Sequence, residues 1–258
     1  MHARHARLLL LAHGSRDPRH AATMAALADR ARALRPDVTV RVGYLDHCAP
    51  RIPRALEQLA QEGEAPVVAV PLLLARAYHA KTDIPGVLRE AASRLPRLTV
   101  HQADVLGPSP LLLRALERRL AEAGVRPAAD TGVILAAAGS SDPVANAATR
   151  ALAAAWQRTA GWGGVAVAHA SAAPPHLTDA AEALRAQGLR HLAVAPYLLA
   201  PGLLPDRITA QAATAGITAV AAPLGASPDL AELVVQRYDE ALTTAALAPV
   251  DQALPLGA

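Results

Sequence analysis

One stretch of this chain returns 125 positions later with its shape kept and its histidine gone. Leu10-Leu11-Ala12-His13-Gly14-Ser15-Arg16-Asp17-Pro18 comes back as Leu135-Ala136-Ala137-Ala138-Gly139-Ser140-Ser141-Asp142-Pro143. At the same offset Val70-Pro71-Leu72-Leu73-Leu74-Ala75 returns as Ala195-Pro196-Tyr197-Leu198-Leu199-Ala200. A third pair, Leu106-Gly107-Pro108-Ser109-Pro110 and Leu224-Gly225-Ala226-Ser227-Pro228, stands 118 positions apart. Self-similarity of this kind marks duplication of one folding unit. His13 has become Ala138 and His79 aligns with Leu204, so one working half and one supporting half are expected.

The repeat divides the 258 residues into units of domain size, 1–124 and 131–246, joined by a linker at 124–130 that contains Pro127. The pattern fades after about Leu242, and 247–258 reads as a flexible tail. Hydrophobic residues are 52% of the chain, enough for a packed core in each half. Aromatics are 2% and Phe is absent, which argues against a stacking platform for single-stranded nucleic acid. The formal charge of +3 is equally uninformative of nucleic acid. A single cysteine, Cys48, excludes an internal disulfide framework and a thiolate metal cage, and fits a reducing cytoplasm. The apolar run at 8–12 is too short for a membrane span or a secretory core, so no membrane association is expected.

Short apolar runs alternate with longer amphipathic ones. Residues 8–12, 38–44, 67–71 and 98–105 read as strands, and 18–34, 52–61, 83–95 and 108–123 as helices. Met24, Leu27, Ala31 and Leu34 fall on one helical face. Asp17-Pro18 and Asp142-Pro143 are helix starts, an N-cap followed by proline in the first turn. In the second half 132–137, 164–169, 191–196 and 217–222 are the candidate strands. The expected class is α/β, with two similar domains, each a small parallel sheet flanked by helices.

Ligands of open parallel sheets bind beyond the carboxyl ends of the strands. His13 follows the first strand, Asp46 the second, and His79 lies in the loop after the third, so three ligating or proton-moving groups converge on one edge. The turn His13-Gly14-Ser15 does not need its imidazole, because Ala138-Gly139-Ser140 keeps the same turn without one. A phosphohistidine site with an Arg-His-Gly motif would use a similar turn, but Ala12 stands at the arginine position. His47 reads as a surface or packing residue, and His2, His5, His20, His101, His169, His176 and His191 show no coordinated spacing.

Two histidines and a carboxylate can hold a divalent ion, and a neutral imidazole can equally take a proton from a substrate nitrogen. Arg16, Arg51, Arg54, Arg76 and Lys81 lie near the same edge, and Arg207 falls in the matching loop of the second half. With Ser15 they are the candidate substrate contacts, and cations rimming one cleft suit a polycarboxylate.

These motifs resemble those of the sirohydrochlorin chelatases of the class II chelatase family, which insert iron or cobalt in siroheme and cobalamin synthesis. The resemblance rests on Ala12-His13-Gly14-Ser15-Arg16-Asp17-Pro18, Tyr44-Leu45-Asp46 with Pro50-Arg51-Ile52-Pro53, and Pro71-Leu72-Leu73-Leu74 with His79 and Asp83-Ile84-Pro85. Leu106-Gly107-Pro108-Ser109-Pro110 completes it, and with the second copy it covers nearly the whole chain. It implies two α/β domains facing each other across a cleft that receives a modified tetrapyrrole. The family's active-site histidines map onto His13 and His79. Its metal-site acid, commonly glutamate, maps onto Asp46, which is one methylene shorter. Where the family often has glycine before the second histidine, this chain has Ala77-Tyr78.

The implied reaction places iron, cobalt or nickel in sirohydrochlorin with loss of two protons. It needs no organic cofactor and is expected of a monomer. A metal or tetrapyrrole carrier using the same cleft is the competing expectation. A hydrolase or isomerase acting on a phosphorylated metabolite is the other.

Overall fold

Near-continuous apolar runs become buried parallel strands, and the amphipathic segments between them become the covering helices. A computed structural model describes residues 6–75, 83–171 and 174–247. The first half runs β1 (Arg7–Ala12), α1 (Pro18–Leu34), β2 (Val40–Tyr44), α2 (Ile52–Gln61), β3 (Val67–Pro71), α3 (Ile84–Arg94), β4 (Val100–Gln102) and α4 (Pro110–Glu122). The second runs β5 (Thr131–Ala137), α5 (Pro143–Thr159), β6 (Gly164–His169), α6 (Leu177–Ala186), β7 (His191–Tyr197), α7 (Leu203–Thr214), β8 (Ala219–Val220) and α8 (Pro228–Leu247).

The strands form two four-stranded parallel sheets of orders β2-β1-β3-β4 and β6-β5-β7-β8. Arg7 pairs with Val67 and Gly132 with Leu192, so register as well as order repeats at the offset of 125. The connections out of β1 and β3 leave in opposite directions, which opens a crevice between their carboxyl ends.

Alternation along each strand divides the core into layers. Leu9 and Leu11 of β1 face outward onto Ile52, Leu56, Leu59 and Leu88 of α2 and α3. In the second half Ile134 and Ala136 meet Leu177, Ala181, Leu184, Ile208 and Ala212 of α6 and α7. Leu8, Leu10, Val68 and Val70 face inward, as do Val133, Leu135, Ala193 and Ala195 of the second sheet. All eight belong to one cluster, together with Met24, Leu27, Leu112, Leu116, Trp156, Leu230, Val234 and Tyr238 of α1, α4, α5 and α8. The two copies therefore share a central helical layer.

Polar contacts tie that layer across the halves. Tyr238 donates its hydroxyl hydrogen to the Ala6 carbonyl, and Arg237 reaches the Val105 carbonyl at 2.8 Å. Trp156 donates to Glu117 at 3.0 Å, and Arg118 meets the buried Asp229 at 2.8 Å.

The predicted N-caps form: Asp17 and Asp142 accept from the backbone N–H groups of Arg19 and Val144 at 2.9 Å each. Ser109 and Ser227 likewise accept from Leu111 and Leu230, at 3.2 and 3.3 Å. The edge strands are shorter than expected. The Leu98 N–H turns back to Leu95 and the Ile217 N–H closes the end of α7 on Ala212, so only 100–102 and 219–220 remain free to pair as strands. Leu34 is 52% exposed, because α1 ends there and the chain departs toward β2 through Arg35. Helix α8 continues through Leu247, beyond the point where the pattern fades, because it lies against α1, α4, β3 and β4 of the other half. Residues 248–258 of the expected tail are outside the described residues.

Candidate active site

The carboxyl ends of β1 and β2 are laced together by their backbones. Leu45 donates to the Ala12 carbonyl at 2.9 Å and Asp46 to the His13 carbonyl at 2.8 Å. Gly14 sits at φ +91°, and a Cβ there would lie 1.8 Å from the Asp46 carbonyl oxygen. Only glycine meets both demands, a left-handed backbone and so close an approach. His13 and Asp46 are thus held side by side through main-chain atoms, with the His13 side chain exposed to solvent.

The second copy builds the same crossing from different chemistry. Ala170 and Ser171 donate to the Ala137 and Ala138 carbonyls at 2.9 and 3.1 Å. Gly139 adopts φ +82°, where a Cβ would meet the Ser171 carbonyl oxygen at 2.2 Å. Ala138 and Ser171 occupy the places of His13 and Asp46. The turn forms without either side chain, so the imidazole and the carboxylate are not there to make it.

Asp46 accepts from the His47 N–H at 2.8 Å and pairs with Arg51 at 2.7 Å, with the His47 ring nitrogen 3.4 Å away. The backbone N–H of His47 and then the Arg51 guanidinium hold its carboxyl below the usual aspartate range. Asp46 is therefore an ionised, half-exposed carboxylate at neutral pH. His47 adopts φ 59°, which lets its N–H turn back onto the preceding side chain.

The candidate substrate contacts scatter. The Ser15 hydroxyl accepts from the Asp17 N–H at 3.1 Å, while its carbonyl accepts from the Cys48 thiol at 3.2 Å. Arg16 is exposed beside them. Arg51 also donates to the Leu45 carbonyl, which makes it a clamp on the Asp46 loop. Arg54 pairs with Glu57 of its own helix at 3.0 Å.

Arg207 is not in a loop. It is an exposed residue of α7, because that helix begins at Leu203, directly after Gly202, whereas α3 begins only at Ile84, which corresponds to position 209. His79, Arg76 and Lys81 lie outside the described residues. Among the described residues no group of three His, Cys, Asp or Glu side chains gathers as a metal cluster.

Two residues near the site carried no signal in the sequence. Arg19 pairs with Asp17 and with Asp206 of α7, both at 2.6 Å, and so bridges the halves. A partner 187 residues away cannot be read from local pattern. His20 lies half-buried in the first turn of α1, its ring 6.5 Å from that of Tyr44. Its Nδ1 is buried without a hydrogen-bond partner among the described residues. Burial first, and then the charge of His13, push its pKa down, so His20 is a neutral imidazole at neutral pH.

No helix among the described residues is long and apolar enough to cross a membrane. The family model described as CbiX matches residues 7–123 and again 132–241. The chain is similar to the sirohydrochlorin ferrochelatase of Priestia megaterium, 32% identical over 137 residues that make up 53% of this chain and 51% of that protein. It is also similar to the sirohydrochlorin cobaltochelatase of the same organism, 29% identical over 54% of this chain and 46% of that protein. The alignments thus span about half the length of these curated relatives. Among solved structures, SirB from Bacillus subtilis with Fe3+ overlays with a TM-score of 0.83 at 24% identity, covering 94% of this chain and 98% of that one. At that identity the overlay speaks for the fold. Two matched copies of one family model, on two sheets related by one offset, carry the assignment: this chain belongs to the CbiX family.

Proposed function

We propose that this chain is a sirohydrochlorin chelatase, inserting ferrous iron or cobalt into the macrocycle with release of two pyrrole protons. One observation carries the reading. His13 is exposed at the β1/β3 crevice, on a turn clamped by backbone to the ionised Asp46, whereas the copied turn bears Ala138 and Ser171. The fold does not require either side chain, and their selective presence in one copy points to chemistry. The relatives named sirohydrochlorin ferrochelatase and cobaltochelatase support the substrate.

In this reading the metal is a substrate, first held by imidazole nitrogen from His13, with His79 as the second imidazole assigned on sequence. Asp46 supplies a negative charge that favours the divalent ion, and Arg51 orients that carboxylate. A neutral imidazole then accepts a pyrrole proton as the ring closes on the metal. Arg16, with Arg76, Lys81 and Arg207, offers cations for the substrate carboxylates. The repeat units 1–124 and 131–246 act as working half and opposite wall. The enzyme needs no organic cofactor and operates as a cytoplasmic monomer.

The test is the absorbance change of sirohydrochlorin with Co2+ or Fe2+ at substoichiometric protein. Insertion faster than the spontaneous reaction, and lost in His13→Ala, supports the proposal. Stoichiometric binding without turnover identifies a carrier instead.

A further inference from the structure

A cavity of about 490 Å³ opens at the amino edge of the second sheet, between the end of α4, the start of β7 and the α7–β8 turn. Arg126, Arg185, Arg190 and His191 line it, and no Asp or Glu does. Arg185 is parked by a 2.7 Å hydrogen bond to the Ala215 carbonyl. Arg126 and Arg190 have no side-chain partner among the described residues. Asp130, outside the lining, stands 3.6 Å from His191. Tyr197, at the far end of β7, reaches toward Leu74 of the first half at 3.4 Å. The cavity is therefore about one strand length, roughly 20 Å, from the carboxyl edge where the candidate active site lies.

The duplication supplies an internal control. Positions 185, 190 and 191 correspond to Ala60, Ala65 and Pro66 in the first copy. There the buried Arg7 guanidinium donates to the carbonyls of Leu59, Gly63 and Ala65, and the edge is closed over it. The first copy forms this edge with Ala60, Ala65 and Pro66 at those positions, so the second copy's cations there are not a demand of the architecture. Like charges gathered on one cavity without a carboxylate between them repel one another, a cost that a bound anion removes. Guanidinium forks fit carboxylate and phosphate oxygens. The remaining lining is small, with the hydroxyls of Thr131 and Thr218 beside Leu192 and Ile217, and it holds no Phe, Tyr or Trp for a nucleobase to stack on.

We propose that this cavity binds a small non-aromatic polyanion carrying two or more carboxylate or phosphate groups, at a site separate from the His13 turn. Arg126 and Arg190 supply the free forks, Arg185 completes the cationic wall, and the His191 ring adds a hydrogen-bonding group. Isothermal titration of the full-length protein at low salt, with citrate and with pyrophosphate as probes, tests this and tells the two oxyanion chemistries apart.

One equivalent of at least one probe binds, and its affinity falls as salt is raised. In an Arg126→Ala/Arg190→Ala double variant affinity drops about tenfold or more, as expected for lost charge-assisted hydrogen bonds. His13→Ala leaves it unchanged. Arg190→Gln alone, at an exposed position, weakens binding several-fold and carries the test if the double variant does not fold. No binding of either probe up to ~10 mM, a double variant that binds like the parent, or binding lost in His13→Ala overturns the proposal; the first limit is the weak end of ordinary specific affinity.

Discussion

Gly14 approaches the carbonyl of Asp46 so closely that any side chain at position 14 would collide with the backbone of the neighbouring loop. That contact converts two separate strand ends into one platform for an imidazole and a carboxylate. Gly14→Ala is therefore expected to lower stability by roughly 1–3 kcal/mol, through left-handed strain and the collision together. Gly139→Ala, at φ +82° with a 2.2 Å approach to Ser171, should cost a similar amount. Urea unfolding measures both. Sirohydrochlorin metallation should suffer more in Gly14→Ala, since only that turn carries the histidine and carboxylate proposed to react.

The His47 N–H and then the Arg51 guanidinium lower the Asp46 pKa, and removal of the guanidinium should be visible as a titration. In Arg51→Ala the Asp46 carboxyl is expected to titrate at higher pH than in the parent, by carbon-detected NMR, while still held low in part by the His47 N–H. The sign for stability follows. A depressed folded-state pKa contributes stability above the unfolded value, and that contribution is lost as pH falls through the folded value. Arg51→Ala should therefore be less stable than the parent at neutral pH, with a deficit that shrinks as pH falls through that window, and the acid limb of metal insertion should move to higher pH.

Tyr238 should report on the joint between the copies. Its hydroxyl donates to the Ala6 carbonyl, and burial pushes its pKa up to about 12, opposed by the nearby Arg35 guanidinium. Tyr238→Phe leaves a buried carbonyl unpaired and is expected to cost about 1–2 kcal/mol at neutral pH. A raised folded-state pKa contributes stability below the unfolded value near 10 that is lost as pH rises through the folded value. The loss of stability between pH 10 and 12 should accordingly be shallower in Tyr238→Phe than in the parent, by urea titration at each pH.

His20 offers a separate check on the surroundings of His13. Proton NMR should find His20 titrating below the ordinary histidine value, and His13→Ala should raise it only part of the way, because burial remains the larger cause. A full return to the ordinary value would contradict the half-buried placement against Tyr44.

What could be read from residues alone was what is local or repeated. The His13-Gly14-Ser15 turn, the aspartate N-caps and the strand–helix alternation of a parallel sheet follow from short motifs and the offset of 125, and the structure has them. Long-range pairings were not readable. Hydrophobic periodicity marks α8 as a helix but does not say that its apolar face lies on β3 and β4 of the other copy, which is also why the helix outlasts its own pattern to Leu247. Side-chain chemistry misleads in the same way. Arg51 and Arg54 look free in sequence, yet each has a carboxylate within 3.0 Å. Arg207 is drawn out of its expected loop by an earlier helix start, and His20 of α1 meets Tyr44 of β2 in a contact that no spacing reveals.

The central claim is that the first copy acts through His13 while the second copy serves as scaffold. Initial rates of cobalt and iron insertion into sirohydrochlorin, for the parent and for His13→Ala with its unfolding curve recorded alongside, test it most directly. The account predicts an unfolding curve close to that of the parent, because Ala138 shows that the turn tolerates alanine, and a rate lowered at least about a hundredfold, within the range for losing a metal-binding or proton-accepting imidazole. A folded His13→Ala variant that inserts either metal at the parental rate would contradict it.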